Sequence, residues 1–230
     1  DQSKVISYYD DTQASFTNFA MSGIDKVHFG LEAAVSIPIY HTLALNGAVS
    51  WGQYTYDSNP YYLQTQDNSG DIVSDGYVYW KDFRVESTPQ TAVNVGLSWR
   101  SNNNIYLSAD FNYYDNMYLS MSPIYRTDAV ITGGMAPGDI EHLRRQEKFD
   151  SAYTLNASIG KNWYIHRKYT LGFSLDVKNI LNNQDIKTGG YEQTRLSKNT
   201  ETTVTTYQAF DSKYFYMFGT TYYLNLYFRF

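Results

Sequence analysis

The sequence contains no cysteine, little basic charge and no long apolar run. Without cysteine, the 230-residue chain forms no disulfide and offers neither a thiolate nucleophile nor a cysteine metal site. The 18 Lys and Arg residues are outnumbered by 23 Asp and Glu residues, and the net charge is −5 with no basic stripe. Nucleic acid is therefore not expected as a partner.

A helical membrane bundle is excluded as well. The mean hydropathy is −0.47, whereas a spanning helix needs roughly 20 mostly apolar residues in succession. The longest stretch without a formal charge, 33–56, is interrupted by Pro38, Asn46, Gly47 and Gly52. The chain is rich in tyrosine, with 24 residues, and aromatic residues make up 17% of it. These side chains combine an apolar ring with a polar tip.

Apolar and polar side chains alternate with a period of two in seven segments, a pattern that predicts β-strands. The apolar faces of these segments carry no formal charge, apart from Lys161 at the extension of one strand. The opposite faces hold Gly, Ser, Ala, Thr and Asn, which suit a wide, wet lumen better than a solvated protein surface. The predicted strands are 27–39, 43–51, 93–100, 105–113, 153–160, 169–178 and 214–230.

The connections between these strands alternate between short and long. Short links at 40–42, 101–104 and 165–168 alternate with long ones at about 53–90, 114–151 and 180–213. Bacterial outer-membrane barrels have short periplasmic turns and long extracellular loops. The pattern therefore predicts an all-β, transmembrane antiparallel β-barrel in the outer membrane of a Gram-negative bacterium, with the C-terminus periplasmic.

Seven strands do not close a barrel, since single-chain bacterial barrels have even strand counts of at least about eight. Residues 27–230 are therefore expected to form the seven C-terminal strands of one incomplete barrel domain. Residues 1–26, which alternate only weakly, are expected to be an extracellular loop from a preceding strand. The absence of an initiator methionine and of a signal sequence fits a removed leader or a longer parent chain.

Several segments resemble TonB-dependent receptors of Bacteroidota. The most specific is Val-Lys-Asn-Ile-Leu-Asn at 177–182, at the end of a predicted strand, and the terminal Phe-Arg-Phe at 228–230 also fits. The matching segments are spread along the sequence, and the resemblance extends over essentially the whole chain. The others are 19–32, 87–90 and 188–193.

The resemblance implies a barrel of about 22 strands plugged by an N-terminal domain, of which this chain is the C-terminal part. It implies import of a scarce nutrient, energised by the TonB complex through a plug that lies outside this sequence. It also implies that the barrel-assembly machinery recognises the last strand, and that a glycan receptor of the SusC-like type pairs with a SusD-like surface lipoprotein. No cofactor is implied.

No constellation typical of an enzyme is present, so catalysis is not expected. The four histidines have no metal-ligand spacing. Asp110 and Asp176 both fall on predicted lumen faces, but a carboxylate facing water has little desolvation to shift its pKa for acid catalysis.

Aromatic residues at strand ends are assigned to the interfacial girdles. The remaining candidate functional residues fall into three groups. Aromatic and basic loop residues are candidates for contact with a substrate or partner, with packing of the loops as the alternative: Tyr54, Tyr56, Tyr61, Tyr62, Tyr77, Tyr79, Trp80, Arg126 and Arg144. Polar residues expected to face the lumen are Glu32, Asp110, Asp176 and Lys178. The barrel-assembly signal is assigned to Tyr222, Leu224, Leu226, Phe228 and Phe230.

Three other hypotheses remain open at this point. A passive porin or a surface-binding, adhesive barrel needs no energy source. A membrane-embedded hydrolase needs acid, base or nucleophile residues supplied by strands outside this sequence. A soluble β-sandwich also separates an apolar face from a polar one.

Overall fold

The protein is described by a computed structural model, which covers residues 2–10, 14–133, 137–166, 168–193, 196–199 and 206–230. It is an all-β structure built from antiparallel sheets with a few short helices. The first strands are β1 (Gln2–Asp10), β2 (Ser15–Ile24), β3 (Lys26–Tyr40), β4 (Leu43–Tyr56), β5 (Tyr61–Gln66), β6 (Ile72–Tyr77), β7 (Thr91–Arg100) and β8 (Ile105–Asp115). A 3-10 helix (Pro123–Arg126), α1 (Asp128–Thr132) and α2 (Pro137–Leu143) follow. The remaining strands are β9 (Ala152–Ile165), β10 (Tyr169–Lys178), β11 (Lys187–Tyr191), β12 (Leu196–Asn199), β13 (Thr206–Ala209), β14 (Lys213–Tyr216) and β15 (Thr221–Arg229).

A seven-stranded sheet dominates the structure, in the order β15-β10-β9-β8-β7-β4-β3. Every neighbouring pair is antiparallel. Each of the seven segments with a two-residue period contributes one strand of this sheet, and the strands follow one another as a meander. The sequence prediction of an antiparallel all-β fold is confirmed.

The strand registers align the alternating apolar and polar positions across the whole sheet. One row of paired residues runs Val35, Gly47, Val95, Phe111 and Leu155 from β3 to β9. Because successive side chains of a strand point to opposite faces, this register puts the apolar positions of all strands on one face. The polar positions share the other face.

The last strand differs from the prediction of one continuous segment over 214–230. β14 pairs with β11, whereas β15 pairs with β10, and no strand is assigned between Tyr216 and Thr221. At this break the Thr220 backbone N–H donates to Asn182 Oδ1 at 3.1 Å, and its hydroxyl donates to the Asn179 carbonyl at 2.9 Å. These local bonds end the continuous pairing, although the alternation of the sequence passes through the break.

All long connections leave the seven-stranded sheet at one end, and the short turns lie at the other. The described residues of the long connections, apart from the β12-β13 hairpin, fold together with those preceding β3 and are called the cap here. The cap contains a four-stranded sheet in the order β1-β2-β5-β6, a β11-β14 ladder and the helices. It comprises 2–10, 14–25, 57–90, 116–133, 137–151, 179–193 and 210–220.

Residues 1–26 were expected to be an extracellular loop, and the described part of this segment is ordered, since β1 and β2 form a hairpin. The first two buried positions of β2 are the polar residues Ser15 and Thr17, and the apolar residues Phe19 and Met21 follow on the same face. Two polar residues on the buried face weaken the hydrophobic period that the sequence pattern depends on. The long connections likewise contain ordered strands and helices.

The buried apolar core is formed by the cap together with Tyr56 at the cap end of β4, and not by the apolar face of the seven-stranded sheet. Phe19 stacks on Tyr62 with ring centroids 4.8 Å apart, and Tyr56 packs against Trp80 at 4.7 Å. All four side chains are buried. The other buried members of this core are Met21, Ile24, Val78, Met121, Ile124, Tyr125, Val130 and Leu143.

The cap core adjoins the polar face of the large sheet. Tyr56 pairs with Lys26 in a register that continues without interruption to Glu32 and Ser50. Tyr56 therefore points to the same face as these two polar residues. None of the helices among the described residues is long and apolar enough to cross a membrane.

Candidate functional site

The apolar face of the seven-stranded sheet is exposed over its full width. Leu31 in β3 is 69% exposed, Leu97 in β7 is 47% exposed and Leu224 in β15 is 60% exposed. We call this surface the apolar belt. Its exposed members include Val27, Phe29, Leu31, Val35, Ile37, Ile39, Val49, Trp51, Val95, Leu97, Leu107, Phe111, Tyr153, Ile159, Trp163, Leu171, Tyr222, Leu224, Leu226 and Phe228.

Such a surface is unusual for a protein in water. Monomeric soluble proteins rarely expose contiguous apolar patches larger than a few hundred Å². The belt runs continuously across seven strands, and its aliphatic residues face away from the protein's own core. Contact with an apolar medium or with an apolar partner would therefore stabilise this surface.

Aromatic side chains border the belt at both ends. Near the cap, the rings of Phe29 and Trp51 meet edge to face, with centroids 6.3 Å apart. Near the short turns, Tyr169 stacks on Phe228 at 5.8 Å. The Lys161 ammonium, the charge that the sequence predicts on this face, lies 5.2 Å from the Trp163 ring centroid, also toward the short-turn end.

The opposite face is a hydrogen-bonded lattice of small polar side chains. Asn46 accepts a hydrogen bond from Ser36 at 2.7 Å and donates one to Ser98 at 3.2 Å. Asn112 accepts one from Asn94 at 2.8 Å. These amides and hydroxyls satisfy one another across strands, so the face is polar yet carries little charge.

The four residues predicted to face a lumen all lie on this polar face. Glu32 Oε1 accepts a hydrogen bond from Ser50 at 3.3 Å. Asp110 pairs with Asn156 of β9, and Asp176 pairs with Ser158 of the same strand. The two aspartates therefore stand two strands apart and do not form a carboxylate pair. Lys178 is exposed at the cap end of β10.

In the described part of the chain, no group of three or more His, Cys, Asp or Glu residues is arranged to hold a metal ion.

The loop residues predicted to contact a substrate or partner divide by burial. Tyr56, Tyr62, Trp80 and Arg126 are buried, so they pack the cap and do not reach solvent. Packing within the loops was the alternative expectation for the aromatic candidates, and it applies to Tyr56, Tyr62 and Trp80. The exposed or partly exposed candidates are Tyr54, Tyr61, Tyr77, Tyr79 and Arg144.

Arg126 joins two long connections by a buried ion pair. Its Nη1 and Nη2 atoms donate to the two carboxylate oxygens of Glu192 at 2.5 and 2.9 Å. Its Nε donates to the Leu143 carbonyl at 2.9 Å, and Nη1 also donates to the Ser122 carbonyl at 2.9 Å. We call the Arg126–Glu192 pair the clamp. Sequence reasoning did not pair these residues, because they are 66 positions apart.

Beside the clamp lies a cavity of about 530 Å³, called the cap pocket. Its apolar walls come from Tyr79, Phe83, Ile131 and Leu143. The Arg126 guanidinium lies 5.4 Å from the centroid of the Phe83 ring. The polar lining residues are Asn59, Lys81, Asp82, Arg126 and Arg144.

Tyr79 is held in place as one wall of this pocket. Its backbone N–H donates to the Arg126 carbonyl at 2.8 Å. A hydrogen bond to Asp128, followed by partial desolvation, raises the pKa of the Tyr79 hydroxyl above its usual value. Tyr79 is therefore protonated at neutral pH and adds no charge to the pocket. Lys81, Asp82 and Phe83 were not singled out from the sequence, since nothing local marks them.

The proposed assembly signal lies on the edge strand β15 and at Phe230, which follows it. Tyr222, Leu224, Leu226 and Phe228 are between 56% and 71% exposed, and Phe230 is 94% exposed. The side of β15 away from β10 has no strand partner among the described residues.

The chain was compared with protein-family models, with curated proteins and with solved structures, and none of them matches it.

Proposed function

We propose that the seven-stranded sheet is part of the wall of an outer-membrane β-barrel and that this barrel is a TonB-dependent importer of a scarce nutrient. The observation that carries the proposal is the apolar belt. It spans seven strands and carries charge only at its margins, at Lys161 toward the short turns and at Asp115, paired with Lys148, at the cap end of β8.

Transfer of the apolar belt from water to lipid hydrocarbon is favourable in free energy. Burying an exposed Val, Leu, Ile or Phe side chain contributes about 1.5 to 3 kcal/mol. Contact with lipid hydrocarbon would remove the belt from water, and the aromatic residues at its two ends suit the headgroup regions. The polar lattice on the other face suits a water-filled lumen, because its amides and hydroxyls keep access to water.

A closed barrel is proposed because both edges of the sheet need partners in a bilayer. The outer sides of β3 and β15 have no strand partner among the described residues. In hydrocarbon, each unpaired backbone N–H or C=O group costs several kcal/mol, so open sheet edges do not face lipid. Further strands of the same barrel are therefore proposed to continue the wall.

The long-connection end is proposed to be extracellular and the short turns periplasmic, as in bacterial barrels generally. The resemblance at 177–182 and 228–230 supports the TonB-dependent class. The proposed partners are outer-membrane lipid, the TonB complex acting through an N-terminal plug, the barrel-assembly machinery at β15, and a SusD-like lipoprotein at the surface. Transport, not catalysis, is the proposed activity.

The full-length protein, purified from outer membranes, tests this function. We expect it to bind the periplasmic domain of TonB and to give no steady ion conductance in a planar bilayer bathed in potassium chloride, because a plug fills the lumen. A passive porin gives the opposite pair of results, with stepwise conductance and no binding of TonB. That outcome would reject energised import while leaving the barrel itself in place.

A further inference from the structure

The cap pocket combines apolar walls with an unequal set of charges. Of its three cations, Arg126 is neutralised by Glu192 within the clamp. Lys81 lies 3.8 Å from Asp57, and both side chains are more than half exposed, so solvent screens this pair strongly. Arg144 is exposed and forms no ion pair with any residue that the structure describes. Within the lining, Asp82 is the one carboxylate beside the two exposed cations Lys81 and Arg144.

The pocket also has the size and polarity of a small-molecule site. Ligand pockets are typically about 300 to 1,000 Å³, mostly apolar, with a few polar groups that fix orientation. Tyr79, Phe83, Ile131 and Leu143 supply the apolar surface. At the margin, the Asn59 side-chain oxygen accepts from the backbone N–H groups of Trp80 and Lys81, so its amide nitrogen is the group left to donate.

The geometry points to the cap pocket as a binding site for a small organic monoanion with an aromatic or aliphatic body. The apolar body packs between Tyr79, Phe83 and Leu143, and the carboxylate or other acidic group pairs with Arg144 and Lys81. Guanidinium groups bind carboxylates through two parallel hydrogen bonds, which makes Arg144 the main anion contact. The inference concerns binding alone and does not rest on energised transport.

Isothermal titration of the full-length protein in lipid nanodiscs tests this site, with empty nanodiscs as the blank. The probe is 1-naphthoate, and 1-naphthalenemethanol is its uncharged counterpart. We expect saturable binding of 1-naphthoate to one site and binding at least about tenfold weaker for the alcohol, since a charged hydrogen bond is lost. Acetate, which has the charge without the apolar body, is expected not to bind measurably.

Two neighbouring arginines provide a matched pair of variants. Arg144→Gln is expected to raise the Kd for 1-naphthoate about tenfold, because it removes the main anion contact. Arg145→Gln is expected to leave the Kd unchanged, because Arg145 forms an exposed ion pair with Glu141 and does not line the pocket. Lys81→Gln is expected to weaken binding several-fold as a second, independent variant.

The inference is overturned if the two arginine variants bind 1-naphthoate equally well, if the alcohol binds as tightly as the anion, or if no saturable binding occurs. Arg144 and Lys81 are both exposed, so their substitution leaves the cap core intact. An unchanged protease-resistance pattern of each variant confirms that a weaker Kd reports the pocket and not unfolding.

Discussion

Val49→Arg is expected to destabilise the membrane-inserted protein by about 2 to 4 kcal/mol, the cost of a cation facing lipid near the bilayer midplane. Val49 lies near the middle of β4, 43% exposed on the apolar belt, and pairs with Ala33 and Val93. In a water-soluble protein, a valine with this exposure would accept arginine with a change within about 0.5 kcal/mol. The stability of this variant therefore distinguishes a belt that faces lipid from a belt that faces water.

Ala48→Arg is the matched control, because Ala48 is also exposed but lies on the polar face. An arginine there enters a wet lumen and is expected to change stability by less than about 1 kcal/mol. The free energy of unfolding of the full-length protein in lipid vesicles, followed by denaturant titration, measures both variants. Equal stabilities for the two would contradict contact between the belt and lipid.

Arg126→Met is expected to destabilise the cap by about 3 to 5 kcal/mol, the usual cost of removing one partner from a buried ion pair. The Arg126 side chain is 2% exposed, and its loss leaves the Glu192 carboxylate, itself 19% exposed, without its cation. The carbonyls of Leu143 and Ser122 also lose a donor. The expected result is a cap that opens while the seven-stranded sheet stays folded.

Hydrogen exchange of the cap amides, compared with those of β7 to β9, measures this effect. Arg145→Ala serves as the control, because its exposed pair with Glu141, four residues earlier in the chain, is worth at most about 1 kcal/mol. Arg126→Met combined with Glu192→Gln is expected to recover part of the loss, since no unpaired charge remains. Uniform exchange across sheet and cap in Arg126→Met would show that the clamp does not act on the cap alone.

The seven-stranded sheet could be predicted from sequence because its signal is local. Each strand carries its own apolar and polar faces, as in the alternation from Ile105 to Tyr113, and the meander joins strands that are neighbours along the chain. The prediction failed at 217–220, where bonds from Thr220 to Asn179 and Asn182 interrupt the strand. A two-residue alternation contains no information about contacts between residues that are about 40 positions apart.

The cap could not be predicted in the same way. Its sheet joins β2 to β5 across β3 and β4, and its core brings Phe19 onto Tyr62. Its aromatic residues were recognised as a cluster, but a single sequence does not tell which of them turn inward. The cap pocket forms only when residues 79–83 meet Leu143 and Arg144, so its lining carries no spacing signal.

The environment of the belt can be measured with nitroxide spin labels on β8. The sequence has no cysteine, so single cysteines introduced at 105–113 in the full-length protein carry the labels without background from this region. Collision rates with oxygen, which concentrates in lipid, and with a water-soluble nickel chelate distinguish lipid, water and protein interior. The account predicts high oxygen and low nickel accessibility at 105, 107, 109 and 111, and the reverse at 106, 108, 110 and 112. Low accessibility to both reagents at the odd positions, as in a buried soluble core, would contradict it.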